Sequence, residues 1–143
     1  MSLRTEHLAR CIRTLEMSLE QLRRAPVESI DYEVFRNAVV KGFELTLETA
    51  GKLLRKALKA YVGNPRAADE FTYKDLFRHA AKHGLLESAA VQRWFEYRDN
   101  RNNTAHDYGK GFAEDTLGLM PAFLVDARAL EATLREKLRH ADT

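Results

Sequence analysis

Apolar residues recur at intervals of three and four along most of this chain, the period of a helix buried on one side. Leu8, Cys11, Ile12, Leu15, Leu19 and Leu22 form the first stripe, on a helix expected from about Leu3 to Arg24 and closed by Pro26. A second, longer helix is expected from Asp31 to Tyr61, with Phe35, Val39, Phe43, Leu47, Ala50, Leu54, Ala57 and Tyr61 along one face. Gly42 and Gly51 interrupt it at a cost of about 1 kcal/mol each relative to Ala, which points to close approach of a neighbouring helix. Val62 to Glu70, with Gly63-Asn64-Pro65, reads as a loop.

A short third helix is expected from Tyr73 to Lys82. Thr72 can cap it, with Asp75 as a weaker form of the capping box, and Gly84 is placed to end it in the left-handed conformation. The fourth helix starts after Ser88 and runs through Trp94 toward His106, followed by a turn bracketed by Gly109 and Gly111. The fifth covers Ala113 to Arg139, with Leu117, Met120, Leu124, Ala127, Leu130, Leu134 and Leu138 inward. Pro121 either kinks that helix or marks its true beginning. The expectation is an all-α, up-and-down four- or five-helix bundle, one domain over residues 1–143.

Composition narrows the chemistry. A net charge of +2 gives no global field, so any anion site is local. The single cysteine, Cys11, excludes an internal disulfide and a cysteine-clustered zinc site, and its place in the stripe reads as core. No apolar run reaches the length of a membrane span, and the N-terminal stretch lacks the apolar core of a signal peptide. A cytoplasmic protein that contacts no membrane is expected.

The pattern breaks on the fourth helix. Val91, Trp94 and Phe95 define an apolar face whose extension lands on Arg98, then Arg101 and Asn102, then Ala105. Guanidinium and amide groups at inward positions need an anion, a partner or a wet cleft, because burying an unpaired charge costs several kcal/mol. Arg101 and Tyr108, seven apart, would differ by only about 20° in direction on a continuing helix, and Asn102 and His106 by about 40°. Arg101 and His106, five apart, would diverge by about 140°. Either the helix ends before His106 or two copies of the site meet across a dimer. Arg supplies a planar fork for phosphate, His a proton near neutral pH, and Tyr a stacking surface or a hydroxyl open to modification. That inventory suits metal-independent phosphodiester chemistry, or nucleotide binding without chemistry. The competing structural reading pairs Arg98 and Arg101 with Glu96, Asp99 or the acidic residues of the second helix, and makes His106 a helix C-terminal cation.

The stretch R-N-N-T-A-H-D-Y, Arg101 to Tyr108, resembles the Arg-x4-6-His-x-Tyr motif of HEPN-domain proteins, in particular their nucleotidyltransferase substrate-binding branch. Phe43-Glu44-Leu45-Thr46-Leu47-Glu48, with Lys52 beyond it, resembles that branch's F-E-x-T-x-E-x-x-x-K segment. His83-Gly84-Leu85-Leu86 is similar to its turn before the motif helix, and Trp94 stands in its tryptophan position. The sequence departs from the family at Gly51, where a large aromatic is usual. The resemblance implies a homodimer with facing motif helices, and a separately encoded small nucleotidyltransferase as partner. No carboxylate cluster or second histidine near the stretch suggests a metal, and no cofactor is expected. In the toxin–antitoxin branch the resemblance further implies an RNase toxin. Arg101 would steady the pentacoordinate phosphate, His106 would serve as acid or base, and Asn102 would support them. Tyr108 would accept AMP from the partner. Arg98, which lies outside the motif, and Thr104 are candidate contacts for the substrate RNA or nucleotide. The alternative is a non-catalytic nucleotide- or substrate-binding subunit of a two-component nucleotidyltransferase.

Two other features stand out. Glu44 and Glu48, one turn apart, read as partners for Arg98 or Arg101 rather than as an acid/base pair. Lys52, Arg55, Lys56 and Lys59 form a basic stripe, read first as a solvated face that complements the helix dipole and second as an RNA or partner contact.

Overall fold

In the computed structural model, which describes residues 4–103 and 110–140, the first leucine stripe becomes α1 (Glu6–Arg24). Leu8, Ile12, Leu15, Leu19 and Leu22 are all buried. Ala25 takes an extended conformation (φ −80°, ψ 139°), the region that a following proline imposes. The chain reverses and enters α2 (Ile30–Leu58), whose first turn is capped by Ser29 Oγ accepting from the Tyr32 N–H at 3.0 Å. Cys11 lies at the edge of the core, half-buried, with Sγ 3.8 Å from Thr49 Oγ1 and 3.9 Å from His7 Nε2, which corrects its reading as a fully core residue.

The central helix, α2, packs against α1 on one side and against α4, α5 and α6 on the others. Its two glycines are points of close approach. A Cβ on Gly42 would stand 3.2 Å from Leu15 Cδ1 of α1. A Cβ on Gly51 would stand 2.7 Å from Cε2 of Tyr73, inside van der Waals contact.

Helix α2 ends three residues earlier than expected, and the stretch read as a loop carries one short turn, α3 (Ala67–Glu70). Arg55 of α2 ties this stretch down, donating from Nη1 to the Ala68 carbonyl at 2.7 Å and to the Phe71 carbonyl at 2.9 Å. Helix α4 (Tyr73–Lys82) opens with a full capping box, stronger than the sequence suggested. The Asp75 N–H donates to Thr72 Oγ1 at 3.1 Å, and the Thr72 N–H donates to Asp75 Oδ2 at 3.2 Å. Gly84 ends α4 at φ +76°, as expected, and the Leu85 N–H reaches back to the Ala80 carbonyl at 2.9 Å.

Helices α5 (Ser88–Asn103) and α6 (Lys110–His140) complete the bundle. Six helices and no strand are present among the described residues, an all-α architecture as expected. Pro121 lies inside α6, not at its start, so the Leu117 carbonyl has no donor from the next turn. No helix among the described residues is long and apolar enough to cross a membrane.

An aromatic cluster joins four helices at the centre. Trp94 of α5 stacks on Phe77 of α4 at 4.8 Å between ring centroids. Phe123 of α6 meets Phe43 of α2 at 4.9 Å and Tyr97 of α5 at 5.0 Å, both edge-on. Such pairs add about 0.5–1.5 kcal/mol each beyond the area they bury.

Two measurements test this packing. Gly51→Ala gains helix propensity but drives a methyl into the Tyr73 ring, so the protein loses about 1–3 kcal/mol in chemical denaturation. In a Tyr73→Ala background the same substitution becomes stabilising by up to about 1 kcal/mol, because only the propensity remains. The second concerns acid. Hydrogen bonding from Thr72, helped by the Arg78 charge, holds the Asp75 carboxyl below its ordinary range. Its contribution is therefore present above the unfolded carboxyl pKa and lost as pH falls through the lower folded value. Stability curves of Asp75→Asn are expected to show a flatter acid limb than those of the wild type.

Candidate functional site

The buried face of α5 is Ala90, Trp94 and Tyr97, displaced from the Val91–Trp94–Phe95 face that spacing suggested. Phe95 is on the flank beside α4, its ring under Lys74 Nζ at 5.3 Å and the Arg78 guanidinium at 5.0 Å. Arg98, one turn further, lies on that same flank. Its guanidinium stands 4.7 Å above the centre of the Tyr73 ring. Arg98 is thus held by a ring face, whereas the sequence offered an ion pair with Glu96, Asp99 or the second helix. Asp99 pairs instead with Lys74 at 3.3 Å.

Tyr73 is the floor of this arrangement. Its hydroxyl donates to the Leu47 carbonyl at 3.0 Å, and its ring fills the space that Gly51 leaves open. Burial pushes the phenol pKa far above its ordinary value, against the opposing pull of the Arg98 charge, so the ring is neutral and the donor stays in place.

Around the ring lies a cleft of about 310 Å³ between α2, α4 and α5. Lys52, Arg55, Arg98 and Arg101 bring four cations to its lining, against the single carboxylate of Glu48. Leu47, Gly51, Tyr73 and Leu76 supply the apolar remainder. The volume is at the small end of ligand sites and the charge selects an anion. Glu48, expected as a partner for Arg98 or Arg101, makes an i,i+4 pair with Lys52 at 3.2 Å and shares the cleft lining with the two arginines. Arg55 directs its hydrogen bonds to neutral carbonyls, which leaves its positive charge uncompensated by those bonds.

Of the other candidate residues, Asn102 is on the exposed side of α5 and does not line the cleft. The amide that faces a neighbouring helix is Asn100, which donates from Nδ2 to the buried Thr116 Oγ1 at 3.0 Å. Thr104, His106 and Tyr108 lie outside the described residues. No group of three or more potential metal ligands occurs among the described residues.

A second set of side chains, missed from the sequence, fixes how α5 sits. Asp126 of α6 is buried at 5% exposure and accepts a two-pronged bond from Arg93, Nε to Oδ2 and Nη2 to Oδ1, each 2.9 Å. Tyr97 adds a 2.5 Å bond from its hydroxyl to Oδ2. Burial and the adjacent carboxylate push the Tyr97 phenol pKa well up, and the same carboxylate raises that of Arg93. The signal was present in the spacing: Arg93 and Tyr97 are one turn apart, and Asp126 interrupts the apolar run of α6.

The geometry defines a class: a helical bundle that presents a cationic cleft on the polar end of a helix anchored in the core by one face. Comparison with known proteins makes the class specific. The model of the family described as "Nucleotidyltransferase substrate binding protein like" matches residues 3–136, so the chain belongs to this HEPN-like, nucleotidyltransferase substrate-binding family. The chain is similar to a "Probable ribonuclease HepT" of Haemophilus influenzae, 27% identical over 109 residues that cover 76% of this chain and 73% of that protein. It is also similar to the solved structure of HI0074 from H. influenzae, described as revealing the fold of a substrate-binding domain of a nucleotidyltransferase. The TM-score is 0.81 at 25% identity, over 92% of this chain and 99% of that one.

Removing the carboxylate tests the α5–α6 tie. Asp126→Ala strands the buried Tyr97 hydroxyl, and the expected loss is about 1–3 kcal/mol in chemical denaturation. Tyr97→Phe leaves the Arg93–Asp126 bond intact and costs less. Equal losses in the two variants would show that the Arg93 bond contributes nothing.

Proposed function

We propose that this chain is the HEPN-type subunit of a two-component system, a metal-independent RNase paired with a small nucleotidyltransferase. The observation that carries the reading is the convergence of Arg98 and Arg101 with Lys52 and Arg55 in one cleft at the start of the R-N-N-T-A-H-D-Y stretch. The relative described as a probable ribonuclease supports the same assignment.

In this reading a phosphodiester of RNA sits in the cleft. The ribose 2′-hydroxyl attacks the adjacent phosphorus and the 5′-oxygen leaves, giving a 2′,3′-cyclic phosphate and a 5′-hydroxyl. His106 takes the proton from the 2′-hydroxyl or gives one to the leaving oxygen, and two imidazoles would divide those tasks. Arg101 stabilises the charge that gathers on the pentacoordinate phosphorus, an interaction stronger in the transition state than in the substrate. Arg98, held on Tyr73, presents a fixed charge to the substrate, Thr104 contributes a hydroxyl to substrate binding, and Asn102 supports the motif from the outer side of the helix. Arg101 and His106 diverge by about 140° on one continuous helix, and a homodimer with facing motif helices lets the arginine of one copy work with the histidine of the other. As the toxin of a toxin–antitoxin pair, the subunit would be silenced when the nucleotidyltransferase transfers AMP to the Tyr108 hydroxyl.

A second reading has its own support. The solved relative is described as a substrate-binding domain of a nucleotidyltransferase. The same cleft would then hold a nucleotide for the partner without cleaving anything, since binding and cleaving phosphate draw on the same cations.

Cleavage of a labelled oligoribonucleotide in EDTA separates the readings. The RNase predicts 2′,3′-cyclic phosphate ends, loss of at least about 100-fold in rate in His106→Ala on the scale of general acid–base catalysis, and a comparable loss in Arg101→Ala. Intact RNA at high concentrations of the purified, unmodified protein would establish the binding subunit instead. Mass spectrometry after co-expression with the partner is expected to show an added AMP on wild type and none on Tyr108→Phe.

A further inference from the structure

A second groove adjoins the cleft along α2. It has a volume of about 390 Å³ and lies between the N-terminal part of α1 and the C-terminal half of α2. Arg4, His7, Lys52, Arg55, Lys56 and Lys59 line it. Five of these six carry a fixed positive charge, in a chain whose net charge is only +2. No carboxylate lines the groove among the described residues. The apolar part of the floor is aliphatic, Leu8 and Leu53, with no Phe, Tyr or Trp.

Three observations decide what such a groove takes. First, its cations are available. Arg4 and Lys56 are exposed and make no ion pair among the described residues. Lys59 pairs with Asp69 at 3.1 Å and Lys52 with Glu48 at 3.2 Å, but both pairs are on the surface, where they are worth no more than about 1 kcal/mol and yield to a stronger anion. Second, the groove lacks the aromatic platform on which a base would stack, so it suits a phosphate backbone rather than a free nucleobase. Third, Lys52 and Arg55 line this groove and the Arg98–Arg101 cleft alike. The two cavities therefore adjoin as one cationic path over α2, which runs from Arg101 past Lys56 to Arg4.

We infer that this path is a binding track for the phosphate backbone of single-stranded RNA, holding the nucleotides that flank the phosphodiester in the Arg98–Arg101 cleft. The inference rests on the RNase reading for the identity of the polyanion. The α2 stripe, whose first reading was a solvated face, thus becomes the wall of an extended substrate site. Phosphate contacts of this kind fix position without reading sequence, so the track adds affinity for length and leaves base preference to the cleft.

The test uses the intact protein and the double substitution Arg4→Gln/Lys56→Gln, which touches neither the cleft nor the motif. The probes are a fluorescein-labelled 20-mer of 2′-O-methyluridine, which has no free 2′-hydroxyl and cannot be cleaved, and a cleavable diuridine that fills only the cleft. Removing two phosphate contacts lowers the slope of log Kd against log salt by about 1.4 and weakens the 20-mer by about tenfold at low salt. Diuridine cleavage and the melting curve stay at wild-type values, because both side chains are exposed. An unchanged affinity and salt slope overturns the track and leaves the RNase reading standing if the wild type cleaves diuridine. A wild type that cleaves nothing but loses 20-mer affinity in the double variant keeps the track and overturns the RNase. If the substitutions spare RNA binding and instead release a co-purifying protein partner, the groove is a protein interface and the track is overturned.

Discussion

The missing side chain at Gly51 sets the shape of the cleft. Its absence admits the Tyr73 ring to within 2.7 Å of where a Cβ would stand, and the ring in turn carries the Arg98 guanidinium on its face. The cap at Thr72 fixes the start of α4 and so the position of Tyr73 one residue on, while the bond to the Leu47 carbonyl fixes the ring's far end. A cation held by a neutral ring keeps its full charge for a ligand, whereas one held by a carboxylate does not. The same economy appears at Arg55, whose partners are two backbone carbonyls.

Helix α5 brings this chemistry to the cleft because its two halves have different tasks. The first half is anchored in the core: Trp94 lies between Phe77 and Phe123, and Tyr97 and Arg93 close on the buried Asp126. Its second half leaves the core within one turn and exposes Arg98 and Arg101 to the cleft and Asn102 to solvent. The rigidity of the first half is what lets the second half aim. A charge that is to stabilise a transition state contributes most when it is already oriented before the substrate arrives. Asn100, bonded to Thr116, extends the same anchoring to the last described turns of the helix.

Much of the fold was legible because helices announce their buried side by spacing, and the stripes of α1, α2 and α6 are long enough to average out error. Leu15, Leu47 and Leu134 were all correctly inward for that reason. The caps at Thr72 and Gly84 were legible because their chemistry is local. The face of α5 was misplaced by a step because Val91, Trp94, Phe95 and Tyr97 are all apolar or aromatic and leave the stripe's centre undetermined. That shift assigned Asn102 inward and overlooked Asn100 and Tyr97. Partners were the harder problem. Spacing gives an angle about a helix's own axis and says nothing of which neighbour stands there. So Gly51 was rightly read as a close approach, yet Tyr73 was placed only as the start of a helix, and Arg98 was offered an anion or an acidic partner but not a ring. The family resemblance supplied the ordering of the motif; the cleft around it came from the packing.

In the proposed RNase the α5 arginines act as a pair on a phosphorus held against α2. Arginine side-chain NMR during titration with a uridine–vanadate complex, a mimic of pentacoordinate phosphorus, tests it most directly. The account predicts that the Nε–H signals of Arg98 and Arg101 shift together with the backbone amides of Leu47 to Lys52, and that Arg101→Lys weakens the mimic far more than it weakens uridine monophosphate. Binding that leaves both arginine signals in place, or that weakens equally for the two ligands, would contradict it.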